Sequence, residues 1–458
     1  MKKLMLSAAA LMCGTMMFAQ FNTSTVNQTG SGNGSTVGQT GSFNNSLVTQ
    51  EGNNNDSDVA QTGVSNDSEV RQAFSSNDNL SDVTQTGNDN DSFVWQDGDL
   101  NTSDVDQIGN DNDNYTDQWG DSNTSDVDQN GDDNNAETYQ GYGNGNGHSS
   151  ITFQSGNLND SYVMQQGGNG NVSNVQQGGD SNQSDVDQTG NTNDSFVIQG
   201  FSGNSNISDV DQTGDNNGSF VDQWGNSNNS DVDQTGNNND SAVYQGYIGD
   251  SNNSVVLQMG DDNVSYVEQI GNFNGSSVGQ IGFLNDSYVS QVGNANNSLV
   301  IQNGDSNISD VDQLGSNNGS GVSQQGNSNI SEVDQTGNLN NSSVLQQGNT
   351  NNSLVTQDGN SNFSDVKQIG NDNMSVVDQD GTFNSSGVIQ TGDQNDSDVT
   401  QNGLFNSSSV VQNGFQHISM VNQQGNSNIS TVTQNGNNHN SAVNQIGNNN
   451  NSTVTQSN

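Results

Sequence analysis

The chain contains no proline, a single cysteine (Cys13) and four basic residues among 458. Lys2 and Lys3 account for two of the four, so Arg71 and Lys367 are the only basic side chains beyond residue 3. Against 52 acidic residues they leave a formal net charge of -48. No basic patch is available to neutralise phosphates, which excludes nucleic acid and argues against anionic membrane surfaces; cations are the natural counter-charge. Only 26% of residues are hydrophobic and 6% aromatic, too few for several globular cores. By composition alone the chain falls in the disordered class, because it cannot bury enough apolar surface to offset chain entropy. Order along the sequence overrides that reading.

The first twenty residues stand apart. Lys2 and Lys3 form a charged start, Leu4 to Met17 is apolar, and Phe18-Ala19-Gln20 offers a cleavage point after Ala19. Residues 1–19 therefore read as a secretory signal peptide, which predicts a secreted product. A lipoprotein signal built on Cys13 is the alternative, but the bulky Met12 before it is a poor match. Cleavage after Ala19 removes the only cysteine and with it any disulfide staple. No later apolar run is long enough to span a membrane.

What the rest of the chain has is a repeat. Asn296, Ser298, Val300, Gln302 and Gly304 spell N-x-S-x-V-x-Q-x-G, and the next copy begins at Asn307 and continues through Ser309, Val311, Gln313 and Gly315. There are 39 such units, with the Ser slot running from Ser24 to Ser452. The Gln slot is Gln in all 39, and the Val slot is broken only by Thr116, Thr138 and Thr152, which are also β-branched. Histidine replaces Asn at 148, 417 and 439, and the Ser slot departs at Asn114 and Ala136. The four slots lie two residues apart, which is strand periodicity with all four on one face. The x-G-x-x that follows reads as a turn, with Gly supplying a backbone angle other residues resist.

Five turns, after Gln72, Gln140, Gln165, Gln199 and Gln245, are longer than the rest. Counted forward from Gln, four of them place Phe74, Tyr142, Phe201 and Tyr247 where Gly is expected. The outward positions alternate too. Units around Ser103, Ser125, Ser184, Ser208, Ser230 and Ser309 read S-D-V-D-Q, whereas units between them carry Phe93 with Trp95, Phe196 with Ile198, Phe220 or Tyr244. This predicts a 22-residue coil of two strands, one sheet acidic outside and the other more apolar. The alternation slips phase between Ser125 and Ser184, which predicts an interruption of the two-strand coil there.

The expected fold is all-β: a cross-β solenoid of strand-turn-strand coils, continuous over residues 20–458. Coils stacked at about 4.8 Å give a rod on the order of 90 Å long. The Gln and Asn amides satisfy one another in ladders along the stack, sparing the 1–3 kcal/mol that an unpaired buried polar group costs. Repeats begin at Asn22 and run through Gln445 and Gln456 to Asn458, and no cap is legible at either end. Bare ladder edges predict stacking of copy on copy.

The pattern resembles the curlin repeat of curli, the bacterial extracellular amyloid fibres. Asn44-x-Ser46-x-x-x-Gln50-x-Gly52, followed by Asn55-x-Ser57-x-x-x-Gln61-x-Gly63, matches its layout, and the resemblance spans residues 22–458. It implies a secreted fibre subunit of biofilm matrix, a homopolymer exported through an outer-membrane curli-type pore and assembled on a nucleator subunit.

Other readings carry less. The three His fit Asn replacements within a ladder better than a metal site, although His417 and His439 would fall in adjacent coils. The D-x-V-D acids lack calcium-solenoid loops and read as a solvated face with diffuse cation screening. The inward Ser are ladder members and no break gathers acid, base and nucleophile, so no catalytic residue, metal ligand or cofactor site is assigned. Outward Trp95, Trp119 and Trp224 fit sugar binding or lateral packing equally well. A regular outward Thr row, which an ice-binding solenoid needs, is missing. A monomeric acidic β-solenoid adhesin or cation-binding surface protein is the main rival to a fibre subunit.

Overall fold

The computed structural model describes residues 21–143, 145–200, 203–246 and 249–458. The signal peptide expected at 1–19 and the turn residues Phe201 and Tyr247 lie outside the described residues. The chain divides into two compact units, one ending at Thr192 and the other spanning Asn193–Asn458. Each is an all-β parallel solenoid, with 15 strands in the first and 24 in the second.

Within each unit every strand bonds in parallel to the strand two places on. Ser103, Val105 and Gln107 pair with Ser125, Val127 and Gln129 in the first unit. Ser298, Val300 and Gln302 pair with Ser320, Val322 and Gln324 in the second. One coil is therefore two strands and two turns, and like residues stack on like. The two sheets meet through the period-2 face, where the β-branched Val row suits a pleated strand. From Val48 to Val432 these valines are at most 2% exposed, so the stripe between the sheets is dry.

A regular turn has two left-handed residues. Gly304 has φ 125° and Ser306, just before the Asn slot, has φ 58°. A Cβ built on Gly304 would stand 2.2 Å from the carbonyl oxygen of Gly326 in the next coil. Backbone angle and coil-to-coil contact thus both demand glycine.

Two expectations are corrected. Aromatic residues do not take over the glycine position in the long turns. A Cβ on Gly120 would meet Gly145 O at 2.2 Å, one on Gly203 would meet Gly225 O at 2.3 Å, and one on Gly225 would meet Gly249 O at 2.0 Å. The glycine column thus continues through Gly145, Gly203 and Gly249, each three residues before its Asn or His slot. After Gln72, Ser76 occupies this place and pairs with Gly52. The extra residues enter between Gln and Gly, as bulges after Gln72 and Gln140.

Nor is the coil interrupted between 125 and 184. Ser125 pairs with Ser150 and Ser150 with Ser173, while Ala136 pairs with Ser161 and Ser161 with Ser184. What changes is the sheet that bears the acids. The inner rows set the register, so the outer residues can exchange sheets without disturbing it.

Candidate functional site

Gln302 shows how the inner rows work. Its Nε2 donates to Gln324 Oε1 in the next coil (3.0 Å) and to the backbone carbonyl of Asp286 on the facing sheet (2.9 Å). Its own Oε1 accepts from Gln280 Nε2 at 2.9 Å. Gln313 repeats the set with Gln335 (2.8 Å), the carbonyl of Asn297 (3.1 Å) and Gln291 (2.8 Å). Each Gln is thus a ladder rung and also a tie between the sheets. The tie joins residues 16 apart, a spacing that the repeat pattern does not reveal.

The Asn slot rivets the turns. Asn296 Nδ2 donates to the carbonyl of Gly315 (3.0 Å), and its Oδ1 accepts the backbone N–H of Asn318 (3.0 Å). Asn307 donates both to Gly326 O (2.8 Å) and to Asn285 Oδ1 (3.0 Å), a true amide ladder. The two edges of the coil are therefore not equivalent. Val300 and Val311 are fully buried, as are Ser298 and Ser309, whose hydroxyls find no partner. The Ser slot acts through its small size, letting the sheets close, rather than as a hydrogen-bonded rung. Outward Leu299 and Ile301 are 42% and 41% exposed, which confirms the division between inner and outer positions.

The histidines imitate Asn. His417 Nδ1 accepts the backbone N–H of His439 (3.3 Å), and its Nε2 lies 3.1 Å from the carbonyl of Asn413. The His417 and His439 rings stack at 5.2 Å, and both ring nitrogens of His417 are engaged with backbone. His148 Nδ1 likewise accepts from Asn171 N–H, and burial pushes its pKa down to about 4, holding it neutral. Among the described residues no group of three His, Cys, Asp or Glu side chains is placed to hold a metal ion.

On the outer faces, like also stacks on like. In the first unit Phe93, Tyr115, Tyr139 and Tyr162 form a column with centroids 5.1, 5.3 and 5.4 Å apart. The second unit has Phe196, Phe220, Tyr244, Tyr266 and Tyr288, 5.0–5.5 Å apart. Ala242 is the residue in register with Phe220 and Tyr266, and Tyr244 leans across to fill the gap it leaves. Ring faces in these columns are spent on one another, which disfavours a sugar platform. Trp95 stacks on Trp119 and Trp119 meets Tyr142, whose hydroxyl donates to the buried Asp117 at 3.0 Å. Burial raises the Asp117 pKa, while the hydrogen bond from Tyr142 opposes the rise.

The opposite face of the first unit is acidic. Asp58, Asp82, Asp104 and Asp126 stand in one column. Burial first, then like charges at Asp106, Asp82 and Asp126, push the Asp104 pKa up to about 6. Asp310 in the second unit reaches about 6 for the same kinds of reason.

The inner rows stay open at both ends of the described chain. Val26 is 43% exposed where Val48 is fully buried. Gln28 and Gln39 donate onward to Gln50 and Gln61 (2.7 and 2.8 Å), but no described amide donates to their Oε1 atoms. At the other end Gln445 and Gln456 accept from Gln423 and Gln434 (both 2.8 Å). Their Nε2 groups reach only facing-sheet carbonyls, Ile429 O and Asn440 O (both 2.9 Å).

Stacked parallel coils with a polar, amide-laddered interior define the class: a parallel β-solenoid whose cohesion runs along the stack. The family model of the curlin associated repeat matches residues 36–63, 76–109, 354–381, 370–403 and 431–457, and the chain is a curlin-repeat protein. Curlin repeats mark an extracellular, curli-type protein, and their solenoid is a structural fold rather than an enzyme family. No curated protein matches the chain.

Proposed function

We propose that this protein is a secreted structural subunit that self-assembles into curli-like amyloid fibres for cell adhesion and biofilm matrix. The observation that carries this reading is the pair of open inner edges. Gln28, Gln39 and Val26 at one end, and Gln445 and Gln456 at the other, offer what one more coil would satisfy. An unpaired strand edge templates another strand, and stacked identical side chains hold it. The partners are further copies of the chain, with a nucleator subunit to start growth and a curli-type outer-membrane pore for export.

The test is to follow the purified protein over hours. The expected outcome is fibres with reflections at about 4.7–4.8 Å and about 10 Å, and thioflavin binding. A protein that stays monomeric at high concentration and high salt overturns the reading and leaves the acidic adhesin.

A further inference from the structure

The two outer faces of the second unit differ in charge. From Asn253–Met259 to Asn451–Ser457, every second strand lies in one sheet. Among the outward residues flanking the Ser, Val and Gln slots of that sheet, only Asp365 and Lys367 are charged. The facing sheet, from Val264–Ile270 to Asn440–Ile446, carries eleven acids at the same positions, from Glu268 to Asp398, and no base. The nearly uncharged face is partly aliphatic, with Leu299, Ile301 and Ile389 40–42% exposed.

Two columns run up the middle of this face, one following the Ser slot and one following the Val slot. Around Asp365 their sizes are opposed. Ser343 stands beside Leu345, Gly387 beside Ile389 and Ser409 beside Val411, in coils stacked in register. A Cβ on Gly387 would meet nothing within 4 Å, so the space over it is open. Asp365 and Lys367 stand side by side in the same way, and among the described residues neither has an ion-pair partner.

We infer that this face docks a second copy of the chain, side by side and pointing the same way, about a two-fold axis parallel to the stack. Such an axis lays the Ser-side column of one copy on the Val-side column of the other. Asp365 then meets the second copy's Lys367, and Lys367 meets its Asp365. Gly387 receives the second copy's Ile389, Ser343 its Leu345 and Ser409 its Val411, small against large each time. The other two-fold, running across the stack at Phe363–Ile369, sets Asp365 on Asp365, Gly387 on Ser343 and Ile389 on Leu345. Like charges then touch, and hollows face hollows. Charge and size both select the parallel pair.

The area is sufficient. Ten strands form this face. At about 4.8 Å per strand and about 3.3 Å per residue it covers roughly 1,000 Å² per copy, about 2,000 Å² in all, the upper end of the range for stable interfaces. On the same sheet Asp209 and Asp231 precede the bare stretch, and they limit the pair to the strands from Asn253 onward. The acid-rich face points away from the contact, which stops pairing at two copies. This docking is lateral, so it applies to free copies and to filaments alike.

The test exchanges the charges. Lys367→Asp gives the face two acids, and Asp365→Lys gives it two bases. Filaments are scored as single or paired in electron micrographs, and the soluble protein as monomer or dimer by sedimentation. The unmodified protein should pair, and either variant alone should lower the paired fraction roughly tenfold at about 0.1 M salt. Mixing the two variants, as separately grown filaments or as soluble copies, should restore pairing. So should Asp365→Lys combined with Lys367→Asp in one chain. Asp378→Lys, an exposed change on the acid-rich face, should stay within about twofold of the unmodified protein. If the unmodified protein is neither paired nor dimeric, if the single variants pair undiminished, or if the mixture pairs no better than its parts, the inference falls while the fibre reading stands. If dimers respond as stated but no fibre forms, the fibre reading falls and the inference stands.

Discussion

The two outer faces of the first unit belong to the same stretch of chain and the same coils, yet they are opposites. Strands Asp91–Asp97, Asp113–Trp119, Asn135–Tyr142 and Asp160–Gln166 carry the Phe93–Tyr115–Tyr139–Tyr162 column, in which neighbours attract. Strands Asp56–Val64, Leu80–Asn88, Thr102–Asn110 and Thr124–Asn130 carry the Asp58–Asp82–Asp104–Asp126 column, in which neighbours repel. Behind both faces the Gln row is the same, and the buried slot beside it is β-branched throughout, Val on the acidic side and Val94, Thr116, Thr138 and Val163 on the aromatic side. A lattice that holds under attraction and repulsion alike is one whose cohesion is internal. The second unit repeats the lesson: Phe196 stacks on Phe220 in one sheet, and Asp209 pairs with Asp231 in the other.

The most damaging way to break this comparison is at a turn that serves both faces. Gly109 has φ 132°, and an added Cβ would lie 1.8 Å from Gly131 O. Gly109→Ala should cost about 3–5 kcal/mol and loosen both faces equally, read by hydrogen exchange on flanking strands. Next come the rungs. Gln107 on the acidic sheet and Gln118 on the aromatic sheet each make axial and cross-sheet bonds of 2.8–2.9 Å. Changing either to Ala should cost about 2–4 kcal/mol, with the two values within about 1 kcal/mol of each other in chemical denaturation. A large difference between them would show that the outer face governs stability after all.

Smaller effects separate the faces. Tyr115→Ala removes two ring contacts and should cost about 2 kcal/mol on the aromatic side. Asp104→Asn on the acidic side should stabilise near neutral pH. Titration gives the same contrast. The folded-state pKa of Asp104 is raised to about 6 by burial and like charge, against about 4 for an unfolded carboxyl. The folded state therefore holds the extra proton between these values, and stability should rise as pH falls from 7 through about 6 toward 4. Asp91, at the margin of the aromatic face, is also pushed up to about 6 and adds to the trend. His148 opposes it weakly, since its folded pKa of about 4 resists protonation that the unfolded chain accepts. Denaturation midpoints at pH 5 and 7 check the sign, and Asp104→Asn should flatten the dependence. Least of all, Ser103→Ala removes a buried hydroxyl without a partner and should change stability by less than about 1 kcal/mol.

The strands, the facing of the slots, the 22-residue coil and the glycine turns were legible because a period of two and a fixed spacing are local properties. The Gln-to-carbonyl tie was not, since it depends on how two sheets oppose one another. The supposed phase slip came from reading outer residues as if they set the register, when Ser125, Ser150 and Ser173 stack regardless of what lies outside them. Tyr244 filling the place of Ala242 is a side-chain lean that no spacing encodes.

The position three residues before the Asn or His slot, glycine in the regular turns and Ser76 after Gln72, has a further consequence. Each coil counts its length backward from that slot, so residues added between Gln and Gly leave the register untouched. After Gln72 and Gln140 the chain already does this, with Ser76 and Gly145 back in place beyond the added segment. Loop length at these corners is a free variable, and foreign peptides inserted there would be displayed at a spacing set by the coil.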